Sequence, residues 1–193
     1  MLIFGHTGLG KGVLDFTRWG QVSGQFLGLF LVGTVFPDFF DKTLYYLLSF
    51  LSGRTGIDVG LVSGTRTIAH SAVFVFGGLA AGRVFMKPAL LFFFYGAATH
   101  ILLDHCGDFV GWLVSDSARS FFETPFYADS RIIGIFWPFL GTEFPETPFA
   151  SARQHIIDVF LRPHIILSEF LGFCLLIRDR RRVATAVHQL FVN

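Results

Sequence analysis

Charge is what this sequence has least of. Of 193 residues, 15 are Lys or Arg and 14 are Asp or Glu, so charged side chains make up 15%, against about 25% in soluble domains. A soluble domain of this length needs many more ionised groups to cover its surface. The net charge of +1 leaves no basic surplus for neutralising phosphates, so no nucleic-acid partner is expected. The two cysteines, Cys106 and Cys174, lie far apart and fit neither a CxxC nor a zinc-finger spacing, which argues against a disulfide framework or a redox site. The opening string MLIFGHTGLGKG lacks a basic stretch followed by a long apolar one, so no cleaved signal peptide is expected. Within it, GHTGLGKG lacks both the Ser or Thr after Lys11 and the preceding strand that a phosphate loop requires.

What is abundant is apolar side chain: 52% of residues are hydrophobic, 26 are phenylalanine, and mean hydropathy is +0.59. Four ion-poor stretches stand out: Trp19–Pro37, Thr67–Gly82, Pro88–Leu103 and Pro163–Ile177, the last interrupted by Glu169. A helical span needs about 20 apolar residues, so these segments, with flanking residues, predict an all-α, polytopic membrane helical bundle of about four membrane segments. Thr43–Leu51 reads as an amphipathic or interfacial helix and Ile132–Leu140, broken by Pro138, as a re-entrant or surface-lying segment. The whole chain, 1–193, is expected to be one domain, with a long polar connection over 107–162 and a basic cytoplasmic tail over 178–193.

Four alternating spans put eight basic and two acidic residues on one side, and seven basic and twelve acidic residues in the two longer loops opposite. Basic groups in short segments next to a membrane mark the cytoplasmic face. An integral protein of the cytoplasmic membrane is therefore expected, its acidic face on the other side.

Asp38 ends the first segment, His70 lies near the start of the second, and His100 with Asp104 ends the third. Alternation brings those ends to the same depth. His100 and Asp104 are i,i+4 on one helix face, and Asp38 and Asp41 are i,i+3. Imidazole and carboxylate together suit zinc or manganese, and a bridging carboxylate could hold one ion or two. Single residues of these kinds also serve as helix caps or hydrogen-bonded core histidines.

The strings GTVFPDFFDK (Gly33–Lys42), TRTIAHS (Thr65–Ser71) and ATHILLDH (Ala98–His105), with an early His6 and a later WPF at Trp137–Phe139, resemble the YdjM-like family of predicted membrane-bound metal-dependent hydrolases. The order also looks like that of zinc-dependent phospholipase C and P1-type nucleases. Carried over residue by residue, the resemblance makes His6, Asp38, His70, His100 and Asp104 metal ligands, Asp104 being the candidate bridge. Thr65 departs from the family pattern, which has histidine there. Asp41 or Asp38, whichever is not a ligand, is then a general base or a partner orienting an imidazole, and Arg66 a phosphate clamp or an interfacial arginine. These readings imply hydrolysis of a phosphoester or other ester of an amphiphilic substrate, membrane lipid being the expected partner. The alternative is a non-enzymatic membrane protein whose histidines line a polar cavity. Oligomeric state has no signature in the sequence.

Overall fold

The structure, a computed structural model, describes residues 3–17, 24–53, 66–113 and 162–192, with Trp137 and Ile157 as isolated positions. Every regular element among the described residues is helical. A π-helical turn, Gly5–Leu9, runs directly into α1 (Gly10–Phe16). Next comes α2 (Gly24–Ser52), then a 3-10 turn, Ile68–His70, leading into α3 (Ala72–Val84). The chain continues as α4 (Pro88–Leu113), α5 (Pro163–Arg178) and α6 (Arg180–Val192).

The all-helical expectation agrees with these elements, but the four membrane segments do not. Among the described residues one helix is long and apolar enough to cross a membrane, the Pro88–Cys106 stretch of α4, and only 22% of it is buried inside the protein. The reasons differ from segment to segment. The described part of the first apolar stretch, 24–37, and the supposed interfacial helix are parts of one helix, α2, which runs through Pro37 and carries Asp38, Asp41 and Lys42 at its middle. The second stretch opens as a 3-10 turn, leaving α3 with 13 residues, about 20 Å of helix against a hydrocarbon core of about 30 Å. The fourth, α5, has 16 residues and turns Glu169 into the protein. The re-entrant segment Ile132–Leu140, most of the 107–162 connection and the start of the first stretch lie outside the described residues. Residues 180–192 are helix α6, packed on α2 with Ala186 wholly buried.

The packing that positions the rest is α2 against α4. Gly33 of α2 lies on the carbonyl of Phe93, and Gly96 of α4 lies on that of Phe30, so a β-carbon at either position would overlap backbone. Two backbones approach this closely only where side chains are missing from both faces. Around the crossing sit two apolar clusters, Leu14, Leu27, Phe30, Leu31 and Ala186 on one side and Val75, Phe94 and Ala97 on the other. A second glycine contact, Gly8 against Gly172, brings α5 onto the N-terminal turn. There the Glu169 carboxylate accepts from the amides of Phe4 and Gly5, both at 2.9 Å. Those amides are the unpaired donors at the start of a helix, which a carboxylate satisfies with favourable charge.

Among the described residues Lys11 is the largest fully buried side chain, 1% exposed. Its ammonium donates to Asp15 at 2.6 Å and to Asp179, which joins α5 to α6. Asp15 also faces Arg182 at 3.3 Å. These pairs tie α1 to the last two helices, because a buried cation left alone is far more costly than one held by two carboxylates.

Gly96→Ala is expected to lower stability by about 1–3 kcal/mol through overpacking, whereas Gly77→Ala, where a β-carbon meets nothing within 4 Å, should be neutral or slightly stabilising. Thermal unfolding of both proteins checks this. The Asp179 carboxyl is held below its ordinary value of 3.8 by its hydrogen bond from Lys11, with Arg178 contributing. Its stabilisation is therefore complete above that value and is lost as pH falls through the lowered one. Acid unfolding curves should show a smaller loss of stability below about pH 4 in Asp179→Asn than in the unsubstituted protein.

Candidate metal centre

The site assembles from four separate pieces of chain. His6 comes from the π-helical turn, Asp38 and Asp41 from α2, His70 from the 3-10 turn, and His100 with Asp104 from α4. Asp41 is wholly buried and its carboxylate is fully engaged. Oδ2 accepts from the Thr67 amide at 2.7 Å and from Nδ1 of His70 at 2.7 Å, and Oδ1 accepts from the Ala69 amide at 3.1 Å. The carboxylate thus caps the turn that carries His70 and also orients its ring. Ser71, directly after His70, starts α3: its Oγ accepts from the Phe74 amide at 3.2 Å, an N-cap contact.

His100 is fixed from the other direction. Its Nδ1 lies 2.7 Å from the carbonyl oxygen of Thr34 on α2, a contact that the Gly33–Gly96 crossing brings within reach. A carbonyl only accepts, so Nδ1 carries the proton and Nε2 of the neutral ring is left with a lone pair. His70 likewise donates from Nδ1, here to the Asp41 carboxylate, so its Nε2 faces the cluster. The two Nε2 atoms then point at one another 3.2 Å apart. Two lone pairs at that distance repel unless a cation stands between them, either a metal ion or a shared proton.

The surrounding donors suit the first of these. Oδ1 of Asp38 lies 3.6 Å from Nε2 of His70 and 3.9 Å from Nε2 of His100, and Oδ2 of Asp104 lies 3.8 and 3.7 Å from the same two atoms. Tetrahedral zinc with bonds of about 2.0–2.1 Å separates its ligand atoms by about 3.3 Å. The set Asp38, His70 and His100, with edges of 3.2, 3.6 and 3.9 Å, is close to that spacing without any metal imposed on it. A second set, His6, His100 and Asp104, also has its donor atoms mutually within 4.8 Å.

His6 is 1% exposed and stacks on the His100 ring with centroids 3.8 Å apart. Its Nε2 is 3.2 Å from Oδ1 of Asp104, yet neither ring nitrogen meets hydrogen-bond geometry with a protein group. A buried imidazole with two unsatisfied nitrogens is costly, and coordination of an ion would satisfy one. The residues present thus fit a divalent cation by donor chemistry and spacing, with His6 beside them.

Arg66 precedes the turn rather than sharing a helix face with His70, and its NH2 group lies 2.9 Å from Oδ2 of Asp104. Lys42 lies 2.7 Å from Oδ2 of Asp38, leaving Oδ1 toward the imidazoles. Burial alone would raise the Asp38 carboxyl, but Lys42, followed by His100 and His70, outweighs it and holds the group below the ordinary carboxylate value. Thr65 lies outside the described residues. The structure thus brings His6, Asp38, Asp41, Arg66, His70, His100 and Asp104 into one cluster. Three participants carried no clear sequence signal as such: the carbonyl of Thr34, Lys42, and Glu169, which reads in the sequence only as an interruption of an apolar run. The i,i+4 spacing of Asp38 and Lys42 was the one available clue.

No family model, curated protein or solved structure matches this chain. What the buried His and Asp clusters support is a metal-binding site of the kind found in metal-dependent enzymes in general, not membership of the YdjM-like family.

Asp41→Asn removes the charge that orients His70 while nearly keeping the shape. Zinc affinity, measured by competition with a chromophoric chelator, should fall about 10–100-fold, the usual cost of losing a ligand's orienting partner.

Proposed function

We propose that this protein is a metal-dependent hydrolase acting at a membrane on an ester of an amphiphilic substrate. The observation that carries the reading is the pair of Nε2 atoms of His70 and His100, 3.2 Å apart, each with carboxylate oxygens of Asp38 and Asp104 within 3.9 Å. Asp38, His70 and His100 would hold one ion, with His6 and Asp104 extending the donor set beyond His100. Zinc and manganese both suit imidazole with carboxylate. A bound ion of this kind polarises an ester oxygen and makes water acidic enough to attack near neutral pH.

The chain's own residues do the rest. In hydrolysis the hydroxyl part of water joins the electrophilic centre, the bond to the leaving oxygen breaks, and the water's other proton passes by way of a carboxylate to that oxygen. With Asp38, His70 and His100 holding the ion, Oδ2 of Asp104, beside both imidazoles and held by Arg66, would carry that proton. Asp41, with both oxygens occupied, is a positioning residue. The membrane reading draws support from the exposed apolar surface, with Phe39, Phe50 and Phe76 all at least 68% exposed, and from the largely unburied Pro88–Cys106 helix. The cytoplasmic membrane, with its lipid as partner, is the setting this composition favours. The resemblance of the motif order to that of the YdjM-like family agrees with this reading.

Protein purified in detergent is expected to bind zinc or manganese at one or two ions per chain and to hydrolyse an ester of this class. His100→Ala and Asp104→Asn should remain helical by circular dichroism, lose most of the metal and lower the rate at least 100-fold. Metal-free protein whose stability is unchanged by those substitutions would overturn the proposal in favour of a non-enzymatic role.

A further inference from the structure

Exposure is uneven across the cluster. His6, His100, Asp41 and Asp104 have side chains no more than 3% exposed, Asp38 reaches 19%, and Arg66 and Lys42 reach 29 and 30%. The mouth of the site therefore lies where the two cations are. They come from different parts of the chain, Lys42 from α2 and Arg66 from the segment before the 3-10 turn. Each holds a carboxylate that also faces the imidazoles, at 2.7 Å for Lys42 on Asp38 and 2.9 Å for Arg66 on Asp104.

We propose that Lys42 and Arg66 form an anion clamp at the mouth of the metal centre, selecting substrates whose scissile group is a phosphate ester over neutral carboxylic esters. This rests on the metal-centre reading above and names its substrate class. Once a dication takes the negative charge of Asp38 and Asp104, both cations keep their places with less charge to balance, and an incoming group that supplies anionic oxygens restores it. A phosphate ester offers two or three such oxygens, matched to the planar fork of a guanidinium and the point charge of an ammonium. A neutral ester offers none, and two cations at the entrance do nothing for it. Beside the clamp, Phe39 and Phe40 are 70 and 37% exposed on the same turn of α2, an apolar surface against which an alkyl chain can lie. The shared chemistry is the phosphate group, whether free, in a small ester or in a lipid headgroup.

The test is calorimetric titration of manganese-loaded full-length protein with inorganic phosphate and with decyl phosphate, for the unsubstituted chain, Lys42→Met, Arg66→Met and the pair combined. Manganese content is read in parallel by paramagnetic resonance. Phosphate affinity should fall about tenfold in each single variant and further in the pair, while manganese is held as tightly or more tightly, since a competing cation has been removed. Lys42→Arg should retain phosphate binding, separating charge from mere packing. Tighter binding of decyl phosphate than of phosphate assigns the group to an amphiphile, and equal binding assigns it to a small phosphate compound; either agrees with the clamp. Phosphate affinity unchanged in the pair with manganese present overturns the clamp alone. Loss of manganese from both single variants also overturns it, by making the two cations structural. An unsubstituted chain that binds no manganese or zinc overturns the metal centre first and the clamp with it.

Discussion

The arrangement depends on a carboxylate that has no access to water. Asp41 sits in the middle of α2, wholly buried, and is tolerated there because two amides and an imidazole donate to it. Removing one partner of such a group costs about 3–5 kcal/mol, so the contact holds from both ends. It fixes where the chain from Thr67 to His70 must lie, and it fixes which nitrogen of His70 is free to face the cluster. The sharp turn before α3 is thus built around a charge on another helix, not around its own propensity.

The second half of the site obeys a backbone constraint. Gly33 and Gly96 let α2 and α4 approach until the Thr34 carbonyl reaches Nδ1 of His100. One helix therefore orients both imidazoles, His70 through a side chain and His100 through its main chain. His6 arrives by a third route. Glu169 on α5 caps the N-terminal turn and Gly172 receives Gly8, so the start of the chain is held against the bundle with His6 stacked on His100. Lys42 and Arg66 then face outward from the same carboxylates that face the histidines inward.

Much of this was legible in the residues. The pairing of Asp38 with Asp41 and of His100 with Asp104 at helical spacing marked a set that converges in space, and the early His6, placed in that set by the family resemblance, lies in the cluster. The all-helical architecture followed from the apolar runs. Their number as membrane segments did not, because an ion-free stretch measures composition and says nothing of where a helix begins or ends. Thr67–Gly82 illustrates this, since its first residues are drawn out of helix by Asp41, 26 positions earlier in the chain. Several charges in or near the apolar runs are turned toward other parts of the chain. Glu169, Lys11 and Asp41 all have partners distant in sequence, and no local pattern announces such a partner. Whether Asp41 is a base or an orienting group was equally beyond spacing, because the answer lies in which of its oxygens are already occupied.

The central claim is that a divalent ion, not a proton, stands between His70 and His100. Crystals of the protein purified with its native metal, measured at the zinc and manganese absorption edges, test it directly. The account predicts an anomalous peak about 2.0–2.2 Å from both Nε2 atoms, with an oxygen of Asp38 or Asp104 at similar distance. Two imidazoles joined by a short hydrogen bond, with no peak at either edge after soaking in both metals, would contradict it.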